Sequence, residues 1–118
     1  MKIKDIAFVS CAVSDMGRAR AFYEGVLGLK PNAPMSPSPY CIEYDAEAGT
    51  IAIESNPDWP VSPDGMSATF EVEDFHAAIR HLRDHDVTFF LGPCETKVCN
   101  WAVFRDPDGN RLVIHKRK

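Results

Sequence analysis

The sequence has no apolar run long enough to cross a bilayer, and its start, Met1, Lys2, Ile3, Lys4, Asp5, lacks the apolar stretch of a signal peptide. The expected location is the cytoplasm, with no membrane as partner. Positive charge is not in excess: 13 Lys and Arg stand against 17 Asp and Glu, a net charge of −4. That balance gives no electrostatic footing for nucleic acid or an anionic lipid surface. The four cysteines, Cys11, Cys41, Cys94 and Cys99, form no CxxC pair. Reduced thiols are therefore expected, not a disulfide framework or a structural zinc site. These absences leave a small molecule or another protein as partner.

What is present is an internal repeat. Val13-Ser14-Asp15-Met16-Gly17-Arg18-Ala19 resembles Val72-Glu73-Asp74-Phe75-His76-Ala77-Ala78 at an offset of 59 positions, half of the 118-residue chain. Two copies of one supersecondary unit follow, within one expected domain: module one about 1–56, a breaker-rich linker about 56–65, module two about 66–118. In each copy an Asp is placed to cap a helix by accepting from its free N–H groups. After Asp15, Met16, Ala19, Phe22, Tyr23, Val26 and Leu27 recur at helical spacing, and Gly28 is placed to end the helix; after Asp74, Phe75, Ala78, Ile79 and Leu82 repeat the stripe. Strands are expected around Leu29 to Met35, Tyr40 to Asp45 and Thr50 to Ser55, then around Val87 to Leu91, Asn100 to Arg105 and Arg111 to Lys116. Each unit reads βαβββ, an α+β class. Asp108-Gly109-Asn110 predicts a tight hairpin with Phe104 and Leu112 on adjacent antiparallel strands. The basic end Lys116-Arg117-Lys118 reads as a soluble tail.

Two tandem βαβββ units carrying VSDMGRARAFYEGVLGLK, FEVEDFHAAIRHL and FRDPDGNRLVIH resemble the vicinal oxygen chelate superfamily over nearly the whole chain. That superfamily includes glyoxalase I, bleomycin-resistance proteins and extradiol dioxygenases. The resemblance implies paired modules whose sheets curl into a half-open barrel, with helices outside and a ligand cavity inside. It also implies a homodimer. Many members hold a divalent metal there, a Lewis acid for two neighbouring substrate oxygens.

The positions that carry the family's metal ligands align here with Phe8, Ala52, Ser67 and Val113. A phenyl ring, a methyl and an isopropyl group donate nothing, and a Ser hydroxyl is a poor ligand at neutral pH. The usual metal site is therefore expected to be absent, and no cofactor is predicted. Residues two apart on a strand share a face, which adds Ser10, Glu54, Thr69, Glu71, Arg111 and His115 to the expected cavity wall. Tyr40, Trp59 and Trp101 are the aromatic residues favoured for ligand contact; Tyr44, Phe89, Phe90 and Phe104 are expected mainly in the core.

Within that set Glu71 and His115 are the candidate acid–base pair, and the plain alternative is that Glu71, Arg111 and His115 pair at a solvated rim. A relocated divalent metal on Glu54, Glu71 and His115 is a further reading, whereas His81 and His85, four apart on a helix, read as solvated. The function expected is metal-independent binding of an aromatic or oxygen-rich small molecule. The rival is an enzyme, a glyoxalase-type lyase or isomerase or a dioxygenase-like protein, using Glu71 and His115 or a relocated metal. A purely structural dimerisation module is less favoured because curled sheets leave a cavity to fill.

Overall fold

The computed structural model describes residues 1–2, 7–33, 36, 38–58, 60–63, 65 and 67–118. The fold is α+β, and the chain divides into two compact units, Met1–Val61 and Ser62–Lys118. No helix among the described residues is long and apolar enough to cross a membrane.

The first unit begins with β1 (Val9–Ala12) and α1 (Met16–Arg20). Asp15 caps α1 from an extended backbone, its Oδ1 accepting the Arg18 N–H at 2.9 Å. The periodicity predicts one α-helix through Leu27, but after Arg20 the helix widens into a π-helical turn, Ala21–Val26, in which the Leu27 N–H reaches Phe22 O at 3.0 Å. Gly25, a weak helix former inside this turn, lowers the cost of leaving α geometry. Gly28 ends the helix at φ +72°, and the Leu29 N–H closes back on Tyr23 O at 3.0 Å.

The strand expected around 29 to 35 is not formed by the described residues there. Pro31, which has no N–H to donate, makes only an isolated bridge to Tyr44, and Pro34 and Met35 lie outside the described residues. β2 (Cys41–Asp45) and β3 (Thr50–Glu54) complete a sheet of order β1-β3-β2. Its inner face carries Cys11, Ile42, Tyr44, Ile51 and Ile53, all buried, with the Tyr23 and Tyr44 rings stacked 6.1 Å apart.

The second unit repeats the plan with β4 (Ala68–Glu71), α2 (Phe75–Asp84), β5 (Phe89–Glu95), β6 (Cys99–Arg105) and β7 (Arg111–Arg117), in the order β4-β7-β6-β5. Asp74 caps α2 by accepting the Ala77 N–H at 2.9 Å. The α2 residues Phe75, Ile79 and Leu82 are buried, as are Ala68, Ala102, Phe104, Leu112 and Ile114 on one face of the sheet. Each large apolar side chain removed from water stabilises the unit by roughly 1.5–3 kcal/mol.

Phe104 does pair with Leu112, but the turn between them is longer than the tight hairpin expected. Asp106 organises it: Oδ1 accepts the N–H groups of Asp108 and Asn110 at 2.9 and 2.8 Å, and Oδ2 accepts Asn110 Nδ2 at 2.8 Å. Only Gly109 in this loop takes a positive φ, +85°. The basic end is no free tail, since β7 runs to Arg117 and the Lys118 N–H bonds Val98 O at 3.0 Å.

β5 starts and ends later than the expected Val87–Leu91. Its register against β6 shifts between Leu91 and Cys94, around Gly92 at φ +77°, where a Cβ would stand 2.9 Å from Trp101 O. Only glycine lets the two strands approach this closely there.

Candidate functional site

The face of the second sheet opposite its buried apolar row carries five of the residues singled out from the sequence. Cross-strand pairing aligns Glu71 with His115 and His115 with Trp101, and in the next row Thr69 with Val113 and Val113 with Val103. Paired residues share a face, so Thr69, Glu71, Trp101, Val113 and His115 form one surface.

Glu71 Oε1 lies 2.5 Å from His115 Nδ1, and Oε2 accepts the Arg117 backbone N–H at 2.8 Å. The Arg117 N–H, and after it His115, hold the Glu71 carboxyl below its usual range. An ionised carboxylate only accepts, so Nδ1 of His115 carries the proton toward Glu71 and Nε2 of the neutral ring is an acceptor. Arg111 is not part of this pair: its Nη2 donates to Gly65 O at 2.9 Å. Ser67 precedes β4 and is exposed.

In the first unit the corresponding face carries Ser10, Ala52 and Glu43 in one cross-strand row and Ala12, Glu54 and Cys41 in the next. The sequence reading included Ser10 and Glu54 but missed Glu43 and Cys41, because their place depends on the β2–β3 register. Burial first, then the charges of Glu54 and Glu43, push the Cys41 thiol up. Phe8 stands before β1 and is 47% exposed; Tyr40, before β2, is 65% exposed. Trp59 lies outside the described residues.

Other expected aromatic positions are structural. Phe104 is buried against Phe89, and Tyr44 donates its hydroxyl to Glu24 Oε2 at 2.8 Å, while Arg20 Nε holds the same oxygen at 2.6 Å. Arg20 lowers the Glu24 carboxyl, whereas burial and the Glu24 bond raise the Tyr44 hydroxyl. His81 and His85 are both exposed, with ring centroids 4.4 Å apart.

The donor set at the family's metal positions does not fit a metal. Ala52 is buried and offers a methyl group, Val113 an isopropyl group, Phe8 a ring and Ser67 an exposed hydroxyl. Among the described residues no three His, Cys, Asp or Glu side chains converge as a ligand set.

Known proteins share this architecture. A glyoxalase/dioxygenase from Nostoc punctiforme superposes with a TM-score of 0.80 at 17% identity, covering 98% of this chain and 92% of its own. TnmS3, an antibiotic binding protein from Streptomyces sp. CB03234, superposes with a TM-score of 0.81 at 22% identity, covering 100% and 99%. In sequence, YaeR of Escherichia coli strain K12 is 24% identical over 132 aligned positions, spanning 98% of each chain. The sequence model of one family matches residues 5–114, nearly the whole chain. With the repeat, the capped helices and the two sheets already in place, that match shows that the chain belongs to the Glyoxalase/Bleomycin resistance protein/Dioxygenase superfamily.

Proposed function

We propose that the protein binds an aromatic or oxygen-rich small molecule without a metal, as a homodimer. The observation that carries this reading is the residue set Phe8, Ala52, Ser67 and Val113, which replaces metal donors with groups that pack against or weakly hydrogen-bond a ligand. The surface of Thr69, Glu71, Trp101, Val113 and His115 supplies the complementary chemistry. Trp101 offers an indole face for stacking, Thr69 a hydroxyl, and His115 an Nε2 acceptor oriented by Glu71 for a ligand O–H. Ser10, Tyr40, Glu54, Trp59 and Arg111 remain further contact candidates. The antibiotic-binding neighbour supports the same reading by its described activity. The open edge strand β5, with exposed Phe90 and Leu91, supports the dimer.

The test is a thermal-shift panel of planar aromatic and polyoxygenated compounds, run with EDTA. Stabilisation by at least one compound that persists in EDTA and falls in Trp101→Ala is the expected result. Stabilisation only on addition of zinc, nickel, iron or manganese would overturn the reading.

A second reading is supported by the Glu71–His115 bond: a lyase- or isomerase-type enzyme in which His115 moves a proton and Glu71 positions it. It requires turnover that His115→Gln abolishes while ligand binding survives.

A further inference from the structure

On the first sheet, Glu43 is a carboxylate without the donors that such a position calls for. Only 9% of the residue is exposed. Its main chain is satisfied, the N–H donating to Ser36 Oγ at 3.0 Å and the carbonyl accepting the Asn32 N–H at 2.8 Å. No described residue donates to its side chain. Other carboxylates of the same unit are held: Asp45 by Asn32 Nδ2 and Thr50 Oγ1, Glu24 by Arg20 and the Tyr44 hydroxyl.

A second unsatisfied group stands in the same cross-strand row. Ser10, which shares the Ala52 row with Glu43, has its Oγ sealed from solvent and without a hydrogen-bond partner. In the adjoining row Glu54 adds a second negative charge, held among the described residues only by a long 3.4 Å contact from Asn56 Nδ2. The three strands contain no Lys, Arg or His to offset these charges. A largely buried carboxylate whose oxygens accept from no described residue is stabilised by a partner that brings both N–H donors and positive charge.

We propose that this face takes the cationic nitrogen of a small organic ligand, an ammonium, amidinium or guanidinium group, with Glu43 as principal acceptor and Glu54 and Ser10 beside it. The inference rests on the small-molecule-binding reading and adds the charge that the ligand carries at this end. A divalent metal suits the face less well. Two carboxylates and a thiol that resists ionisation do not make the set of three donors such an ion requires.

The experiment titrates the full-length ¹⁵N-labelled protein with benzamidinium, its neutral isostere benzamide and the anion benzoate, following backbone amides. Benzamidinium is expected to shift the amides of Ser10, Glu43 and Ala52 saturably, benzamide and benzoate to leave them in place, and Glu43→Gln to weaken benzamidinium at least about tenfold. The same spectrum reports whether the variant is folded. If it is not, Glu54→Gln, at a part-exposed position, carries the test with an expected weakening of about threefold. Equal affinity for benzamide and benzamidinium overturns the inference. So does unchanged benzamidinium affinity in the folded Gln variant, or shifts confined to Trp101 and His115. Should the protein prove to need a metal, the functional reading fails while a Glu43-dependent preference for the cation stands. Should neutral aromatic ligands bind in EDTA without any such preference, only the inference made here fails.

Discussion

Glu71 and His115 stand opposite one another on the parallel strands β4 and β7, joined by a 2.5 Å contact from Oε1 to Nδ1. The second carboxylate oxygen is taken by the Arg117 N–H, so both oxygens of Glu71 are committed before any ligand arrives. In the neutral ring this contact selects the tautomer with the proton on Nδ1, which leaves Nε2 as an acceptor.

Replacing Glu71 by Gln keeps the shape and removes the charge. The Glu71 carboxyl lies below its ordinary 4.5 in the folded protein, so its contribution is present above that value and lost as pH falls through the lower folded one. Urea denaturation from about pH 6 to about pH 3 should show a shallower acid-side loss of stability in Glu71→Gln than in the parent. Parallel curves would remove the anionic role assigned to Glu71.

Tyr44→Phe separates core from site. The hydroxyl bond to Glu24 is lost on the inner side of the first sheet, with an expected cost of about 1–3 kcal/mol. Ligand binding should be unaffected, because Tyr44 points away from the face of Ser10 and Glu54. Denaturation and the thermal-shift panel, measured on the same variant, check both halves.

Much of the architecture was legible because it rests on local rules. Asp15 and Asp74 cap their helices as their spacing implies, and Phe104 meets Leu112 across the loop that the Asp-Gly-Asn run announces. What was not legible depends on tertiary neighbours. The strand expected to end at Leu91 runs on through Gly92 and Pro93 to Glu95, with an irregular register against β6. Asp106 stands in the FRDPDGN motif, but that its carboxylate builds the hairpin loop emerges only from the fold. The family alignment of Ser67 and Val113, extended by strand alternation, put Glu71 and His115 on one face, whereas Glu43 and Cys41 needed the pairing of β2 with β3.

Gly92→Ala probes the support beneath Trp101. A methyl group there meets Trp101 O at 2.9 Å in a backbone region unfavourable to alanine, with an expected destabilisation of about 1–3 kcal/mol. Aromatic ligands should also bind more weakly as β6 shifts. Full stability together with full binding would show that the close approach is dispensable.

Cys41 reports on the acidic face. Glu54 and Glu43 add to burial in raising its thiol, so Glu54→Gln should move the pH profile of Cys41 alkylation by iodoacetamide to lower pH. Peptide-resolved mass spectrometry distinguishes Cys41 from Cys11, Cys94 and Cys99. An unmoved profile would mean that the charge does not reach the thiol.

The central claim is that this member of the superfamily works without the metal that many members hold. Metal content measured by plasma mass spectrometry, on protein purified without chelators and without added ions, addresses it most directly. The account predicts zinc, nickel, iron and manganese all far below one equivalent per chain; a stoichiometric amount of any of them would contradict it.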